Sequence, residues 1–235
     1  MLFMLMSLYS QLPMVSVDGL SMVLTQQYIP GNYVKSTLNS VRDIFRTDPA
    51  QYIKNPKKLL VNAARANKET GSSTLVIVSL DQMENKLKTA MIGDSGYMIF
   101  RKTDPNTGEY INVFRSEEQQ HSFNFPFQIG SHGDNPQRAV EKEHTIEKQD
   151  IVLLGTDGLF DNMYDADIQT IVNDYLKEND FNAQELAQKV ADRAFELSLD
   201  PKYVSPFAEG ARKERYYFLG GKSDDITIVV GRVEE

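Results

Sequence analysis

Three short aspartate motifs carry the chemistry of this chain: Gly93-Asp94-Ser95-Gly96, Thr156-Asp157-Gly158-Leu159-Phe160-Asp161 and Ser223-Asp224-Asp225-Ile226-Thr227. Each lies where an apolar, β-branched run begins or ends. Carboxylates gathered at strand ends make an oxygen-rich site for a hard divalent cation, and such ligands select magnesium or manganese over zinc. With no cysteine and only three histidines, the chain has little to offer a softer metal. Metal-assisted hydrolysis is the first chemistry this pattern suggests.

Each motif taken alone also has a structural explanation. Asp94 fits a β-turn, Asp157-Gly158 a tight turn before a helix, Asp161 an N-cap, and Ser223-Asp224-Asp225 a polar strand start. Position tips the balance. Asp157 follows the wholly apolar run 151–154, and Asp224 precedes the β-branched run 226–230. Both carboxylates are therefore expected at the ends of core strands, where unpaired burial is costly and a shared cation offsets their repulsion.

Composition narrows the function classes. A chain of 235 residues, 41% hydrophobic, has enough apolar material for one buried core and is read as a single domain over 1–235. The formal charge of −8 argues against a general nucleic-acid or anionic-membrane binder, although residues 54–58 are locally basic. The absence of cysteine excludes a disulfide framework and a thiol nucleophile. Met1-Leu2-Phe3-Met4-Leu5-Met6 has neither the basic flank nor the small-residue cleavage site of a signal peptide, and Ser7, Tyr9, Ser10 and Gln11 end the run too early for a transmembrane helix. It reads as part of a buried strand. No arginine-rich transit segment is visible.

Periodicity then supplies the elements that must position the acids. Residues 15–17 read as a short strand ending at Asp18-Gly19, 32–45 as a helix burying Val34, Leu38, Val41 and Phe45, and 55–67 as a second helix opened by Asn55-Pro56. From residue 74 the pattern becomes strand-like: 74–80, 87–92, 97–101 and 110–114, with a turn at 105–108, read as one antiparallel meander. Residues 121–139 read as an irregular loop. A strand at 151–154, helices at 165–177 and 182–199, a segment at 206–212 and a final strand at 226–233 complete the map. Strand runs interrupted by helix pairs predict an α+β fold of two stacked antiparallel sheets with helices outside.

With these residues in order, the chain closely resembles the metal-dependent protein phosphatase 2C family, in particular its mitochondrial and plastid branch. The match is carried by Gly71-Ser72-Ser73-Thr74, Gly93-Asp94-Ser95-Gly96, Glu117-Glu118-Gln119-Gln120-His121 with Phe123-Asn124-Phe125-Pro126-Phe127-Gln128, Thr156 to Asn162, Ser205-Pro206-Phe207-Ala208 and Gly220-Gly221-Lys222-Ser223-Asp224-Asp225-Ile226-Thr227. The resemblance implies a four-layer α-β-β-α sandwich with two manganese or magnesium ions in a cleft. It implies that Asp157 and Asp224 hold the first ion, that Asp18 bridges both with the Gly19 carbonyl on the second, and that Asp94 and Asp161 lie near a third, weaker position. The implied reaction is hydrolysis of phosphoserine or phosphothreonine in a phosphoprotein substrate, without a phosphoenzyme. A monomer in the mitochondrion is the corresponding expectation, with a cytoplasmic location open because no transit peptide is seen.

Three departures qualify this expectation. The branch usually reads Ala-Asp-Gly-Val-Gly-Gly-Trp where this chain has Val17-Asp18-Gly19-Leu20-Ser21-Met22-Val23, so two glycines and a tryptophan are replaced. The family also carries an acidic ligand of the second metal on an upstream strand, whereas residues 1–17 contain no Asp, Glu, Arg or Lys. The expectation is a domain lacking its first strand, with a weakened second metal site. Many family members place a proton-donating histidine after the Asp-Gly, where this chain has Leu20. His121 is the candidate substitute, and structural packing explains its motif equally. Two rival readings remain: a pseudophosphatase that binds a phosphoprotein or partner without hydrolysis, and a structural domain whose acids bind a cation for stability.

Overall fold

The structure is a computed structural model that describes residues 5–7, 22–24, 32–104 and 108–234. The segment expected as a strand at 15–17, Asp18, Gly19, and most of the turn at 105–108 lie outside the described residues. The chain divides into two compact units. One gathers Tyr97–Ser116 and Lys148–Glu235 with Met1–Gln11; the other gathers Leu12–Gly96 and Glu117–Glu147.

Elements are numbered along the chain. After β1 (Leu5–Ser7) and β2 (Met22–Leu24) come α1 (Tyr33–Thr47), α2 (Pro49–Lys54) and α3 (Pro56–Ala66). The apolar stripe foreseen on α1 is buried, from Val34 through Leu38 and Val41 to Phe45, and Leu59, Leu60 and Ala63 of α3 join it. The helix α2 has no counterpart in the sequence reading, because six residues are too few to show a helical period. Its start is nevertheless well specified: Pro49 occupies the first turn, and the Asp48 carboxylate accepts from the Gln51 amide at 3.1 Å.

The short β3 (Ser72–Ser73) is followed by β4 (Leu75–Asp81) and β5 (Lys86–Ile92), which pair antiparallel from Leu75 opposite Ile92 to Asp81 opposite Lys86. Leu75, Ile77, Ala90 and Ile92 form one core with the stripes of α1 and α3. Val76 and Val78, on the opposite face of the pleat, are equally buried.

The expected meander does not continue past Ile92. β6 (Gly96–Lys102) and β7 (Tyr110–Arg115) belong to a different sheet. The switch is made at Gly93, whose φ of +108° is strained for any L side chain, and whose Cβ position would lie 2.3 Å from the Thr74 side chain. Periodicity alone cannot distinguish a hairpin partner from a strand that changes sheet.

Within the expected loop lie β8 (Gln120–Ser122), β9 (Phe125–Pro126) and β10 (Ile129–Gly130), each too short to show alternation. Next comes β11 (Val140–Thr145), which pairs antiparallel with β5 from Val140 opposite Met91 to Thr145 opposite Lys86 and completes a four-stranded sheet in the order β11-β5-β4-β2. The sequence reading has no strand here. Val-Glu-Lys-Glu-His-Thr is an edge strand with a mostly exposed surface, so it lacks the apolar alternation by which buried strands are recognised.

The other unit is built around β12 (Ile151–Gly155), α4 (Asp157–Phe160), α5 (Asp165–Glu178), α6 (Ala183–Ser198), α7 (Pro206–Lys213) and β13 (Thr227–Arg232). Its five-stranded sheet runs β1-β13-β12-β6-β7. Ile151 and Leu153 of β12 and Ile228 and Val230 of β13 pack with Val172, Leu186, Val190 and Ala194 of α5 and α6. At the sheet edge β1 pairs antiparallel with β13, and its residues Leu5, Met6 and Ser7 include no acid. No helix among the described residues is long and apolar enough to cross a membrane.

Two outcomes check this architecture. Ile77→Ala, in a fully buried position, should lower the unfolding free energy by about 2 to 5 kcal/mol, whereas Met83→Ala on the exposed β4–β5 turn should stay within about 0.5 kcal/mol in urea titration. His144 on β11 is half-buried; burial first, and the Lys142 charge second, hold its imidazole below the ordinary value. The unfolded chain therefore takes up a proton that the folded chain resists, and stability falls as pH drops through about 6.5 toward the folded value. His144→Gln should remove that part of the acid-side loss.

Candidate metal centre

β12 and β13 lie side by side and antiparallel, with Gly155 opposite Ile228 and Leu154 opposite Val229. The residues just after β12 and those just before β13 therefore meet at one end of the sheet. Thr156, fully buried, stitches them together. Its hydroxyl donates to the Asp225 carbonyl at 2.9 Å and accepts from the Thr227 amide at 3.1 Å. Gly158 permits the close approach of the two segments, since a Cβ there would stand 2.5 Å from the Asp225 carbonyl oxygen.

This junction gathers three of the predicted acids. Asp157 opens the single turn α4 and Asp161, four residues on, is its C-cap, with its amide donating to the Asp157 carbonyl at 2.7 Å, so two like charges lie one helical turn apart and repel each other. Asp224 approaches from the β13 side. All three converge on the ammonium of Lys222, with Nζ at 2.8 Å from Asp157 Oδ2, 2.6 Å from Asp161 Oδ2 and 2.9 Å from Asp224 Oδ2. The lysine side chain is only 15% exposed. Burial alone would favour its neutral form, but the charges of Asp157 and Asp161 and their hydrogen bonds outweigh it and hold Lys222 well above the ordinary lysine value.

Asn162 fixes the lysine backbone. Its side-chain amide donates to the Lys222 carbonyl at 2.8 Å and to the Gly158 carbonyl at 2.9 Å, while its Oδ1 accepts from the Lys222 amide at 2.8 Å. The Phe207 ring, edge-on to Phe218, flanks the ammonium with its centroid 5.0 Å from Nζ. Neither Lys222 nor Asn162 has a place in the acid-based site expected from sequence. The available signal was Lys222 itself, a lone cation embedded in an otherwise acidic motif.

Among the described residues, no three carboxylate or imidazole groups are poised by themselves to hold a metal ion. The donor chemistry of the cluster nevertheless suits magnesium or manganese: three anionic oxygens from Asp157, Asp161 and Asp224 already share one cation, and none of the donors is soft.

Asp94 is buried at 3% exposure in the connection after β5, in the other unit. Asp18 and Gly19 lie outside the described residues. His121 sits on β8, its Nε2 3.1 Å from the Asp134 carboxylate and its ring 4.2 Å between centroids from Phe127. The same Asp134 carboxylate accepts from the Gln128 amide at 3.0 Å, so this histidine is tied into the fabric of its own loop.

No family model matches the chain. Human protein phosphatase PTC7 homolog is 40% identical over 174 residues, 70% of this chain and 55% of that protein. Probable protein phosphatase 2C 55 of Arabidopsis thaliana is 35% identical over 205 residues, 86% of this chain and 42% of that protein. The chain belongs to the metal-dependent protein phosphatase 2C family. It spans a little over half the length of the PTC7 relatives that it matches.

Solved structures agree on the fold. The photosystem II phosphatase PBCP superposes with a TM-score of 0.79 at 24% identity, covering 94% of this chain and 90% of that one. The catalytic domain of the serine/threonine phosphatase PstP, in complex with two manganese ions, gives a TM-score of 0.61 at 15% identity over 91% and 87%. The α+β fold of protein phosphatase 2C foreseen from the motifs is thus present.

The Asn162 clamp is testable by truncation. Asn162→Ala leaves the Lys222 amide and carbonyl without their buried partner, which should lower the unfolding free energy by about 2 to 4 kcal/mol. A loss below about 0.5 kcal/mol in urea titration would show that the clamp does not hold the junction.

Proposed function

We propose that this chain is a metal-dependent protein serine/threonine phosphatase. One observation carries the reading: Asp157, Asp161 and Asp224 converge on a single cation position at the shared end of two adjacent core strands. The identity to proteins named as phosphatases supports it. None of these relatives is named as a binding module, so the pseudophosphatase reading gains no support from them.

In this reading Asp157 and Asp224 supply anionic oxygens to one magnesium or manganese ion, with Asp161 one helical turn away. When bound, such an ion supplies Lewis acidity and a nucleophilic water for attack on a phosphoserine or phosphothreonine phosphorus. The chain's own residues set the geometry. Thr156 ties the two strand ends, Gly158 lets them approach, and Asn162 fixes the loop that carries Lys222. Asp18, Gly19 and Asp94 keep their metal assignments by resemblance alone. His121 is assigned to positioning its loop and not to proton donation, on the strength of its bond to Asp134 and its contact with Phe127. We further propose that both units belong to one domain, because the PBCP likeness runs through 94% of the chain, and that it acts as a monomer in the mitochondrion, as the PTC7 resemblance suggests.

The test is phosphate release from phosphoserine and phosphothreonine peptides. The expected outcome is turnover with manganese that a chelator abolishes. Asp157→Asn and Asp224→Asn should each lose more than the ~10- to 100-fold typical of outer-shell partners, with the fold retained by circular dichroism. Parent-like turnover in either variant would remove that residue from the site.

A further inference from the structure

Lys222 occupies the place where the three carboxylates converge, and this has a consequence for metal binding that the acids alone do not. An ammonium and a divalent ion cannot share one position 2.6 to 2.9 Å from the same three oxygens. We propose that Lys222 is a tethered internal cation that competes with the divalent metal for Asp157, Asp161 and Asp224, so that metal enters the site by exchange with the Lys222 ammonium. This rests on the metal-dependent reading of the acid cluster given above.

Four features of the site support an exchange. First, the cluster needs a cation: Asp157 opens α4 and Asp161 caps its C-terminal end four residues on, and the Asp157 side chain is only 5% exposed. Without a counter-charge these acids repel each other in a poorly hydrated setting. Second, Lys222 is held at its backbone, where both peptide groups bond to Asn162, while its four-carbon stem keeps rotatable bonds. Movement therefore belongs to the side chain and leaves the loop in place. Third, a resting place for the displaced charge is at hand in the face of Phe207, whose centroid is already 5.0 Å from Nζ. Fourth, lysine is a point charge with no fixed fork, so it releases several oxygens together more readily than a bidentate arginine would.

The exchange separates two roles that a single cation would otherwise combine. In the lysine-filled state the junction of β12 and β13 stays neutralised enough to fold. In the metal-filled state the same oxygens are turned to chemistry. The apparent metal affinity is then set by the difference between the two cations and not by the acids alone, and the coupling is reciprocal.

The experiment is manganese calorimetry on the full chain, on Lys222→Met and on Lys222→Arg, with melting of each protein in chelator. Lys222→Met should bind manganese about 5- to 150-fold more tightly than the parent and melt at lower temperature in chelator, while Lys222→Arg should bind no more tightly than the parent. Equal or weaker binding by Lys222→Met would overturn the inference and make the lysine a supporting partner of the metal. Should Lys222→Met fail to fold without metal, the parent itself supplies the readout: nuclear magnetic resonance of its lysine ammonium groups during magnesium titration. Displacement of the Lys222 signal on saturation supports exchange; an unmoved signal with magnesium bound overturns it. Failure of every protein to bind either ion would overturn the metal-dependent reading together with the exchange, a result distinct from binding that ignores Lys222.

Discussion

The antiparallel pairing of β12 with β13 is the constraint on which the site depends. It brings Asp157 and Asp224, distant in sequence, to one end of one sheet, and it does so with apolar residues whose burial has no part in the chemistry. Ile151, Leu153, Ile228 and Val230 fix the strands against α5 and α6, so the strand ends have little freedom. The Thr156 hydroxyl then bridges the two ends through the Asp225 carbonyl and the Thr227 amide. A rigid apolar core can hold like charges together that would separate in a loop, provided a cation compensates them. Lys222 meets that requirement, and the relation of that lysine to a divalent ion becomes the central physical question of the site.

Much of this was legible in the sequence because the informative residues are local. Asp157 stands just after the apolar run 151–154 and Asp224 just before the β-branched run 226–230, and short runs of that kind bounded by polar residues read as core strands. The stripe on α1 was equally plain. What the sequence did not show was which strands pair. The run from 74 to 114 looks like one meander, yet the chain changes sheet at Gly93, and only the φ of +108° and the crowding against Thr74 reveal why glycine stands there. The edge strand β11 escaped because Glu141, Lys142 and Glu143 are exposed and carry no apolar period.

The site was legible in its acids and not in its partners. A reading built on carboxylates finds Asp157, Asp161 and Asp224, because hard-metal chemistry requires them. It passes over Lys222 and Asn162, whose roles exist only once the 160s turn and the 220s loop are in contact. His121 illustrates the opposite difficulty. A histidine in a matched motif invites a catalytic role, but its Asp134 partner and the Phe127 ring are thirteen and six residues further on in the same loop, and local packing accounts for both contacts.

The most direct test is diffraction from crystals of the full chain grown with manganese, with data collected at the manganese absorption edge. The expected result is an anomalous peak bonded to carboxylate oxygens of Asp157 and Asp224, with the Lys222 ammonium moved away from the point where it now meets Asp157, Asp161 and Asp224. A fully manganese-loaded crystal with its peaks elsewhere, and with Lys222 still bonded to all three carboxylates, would contradict the assignment of this cluster as the metal centre.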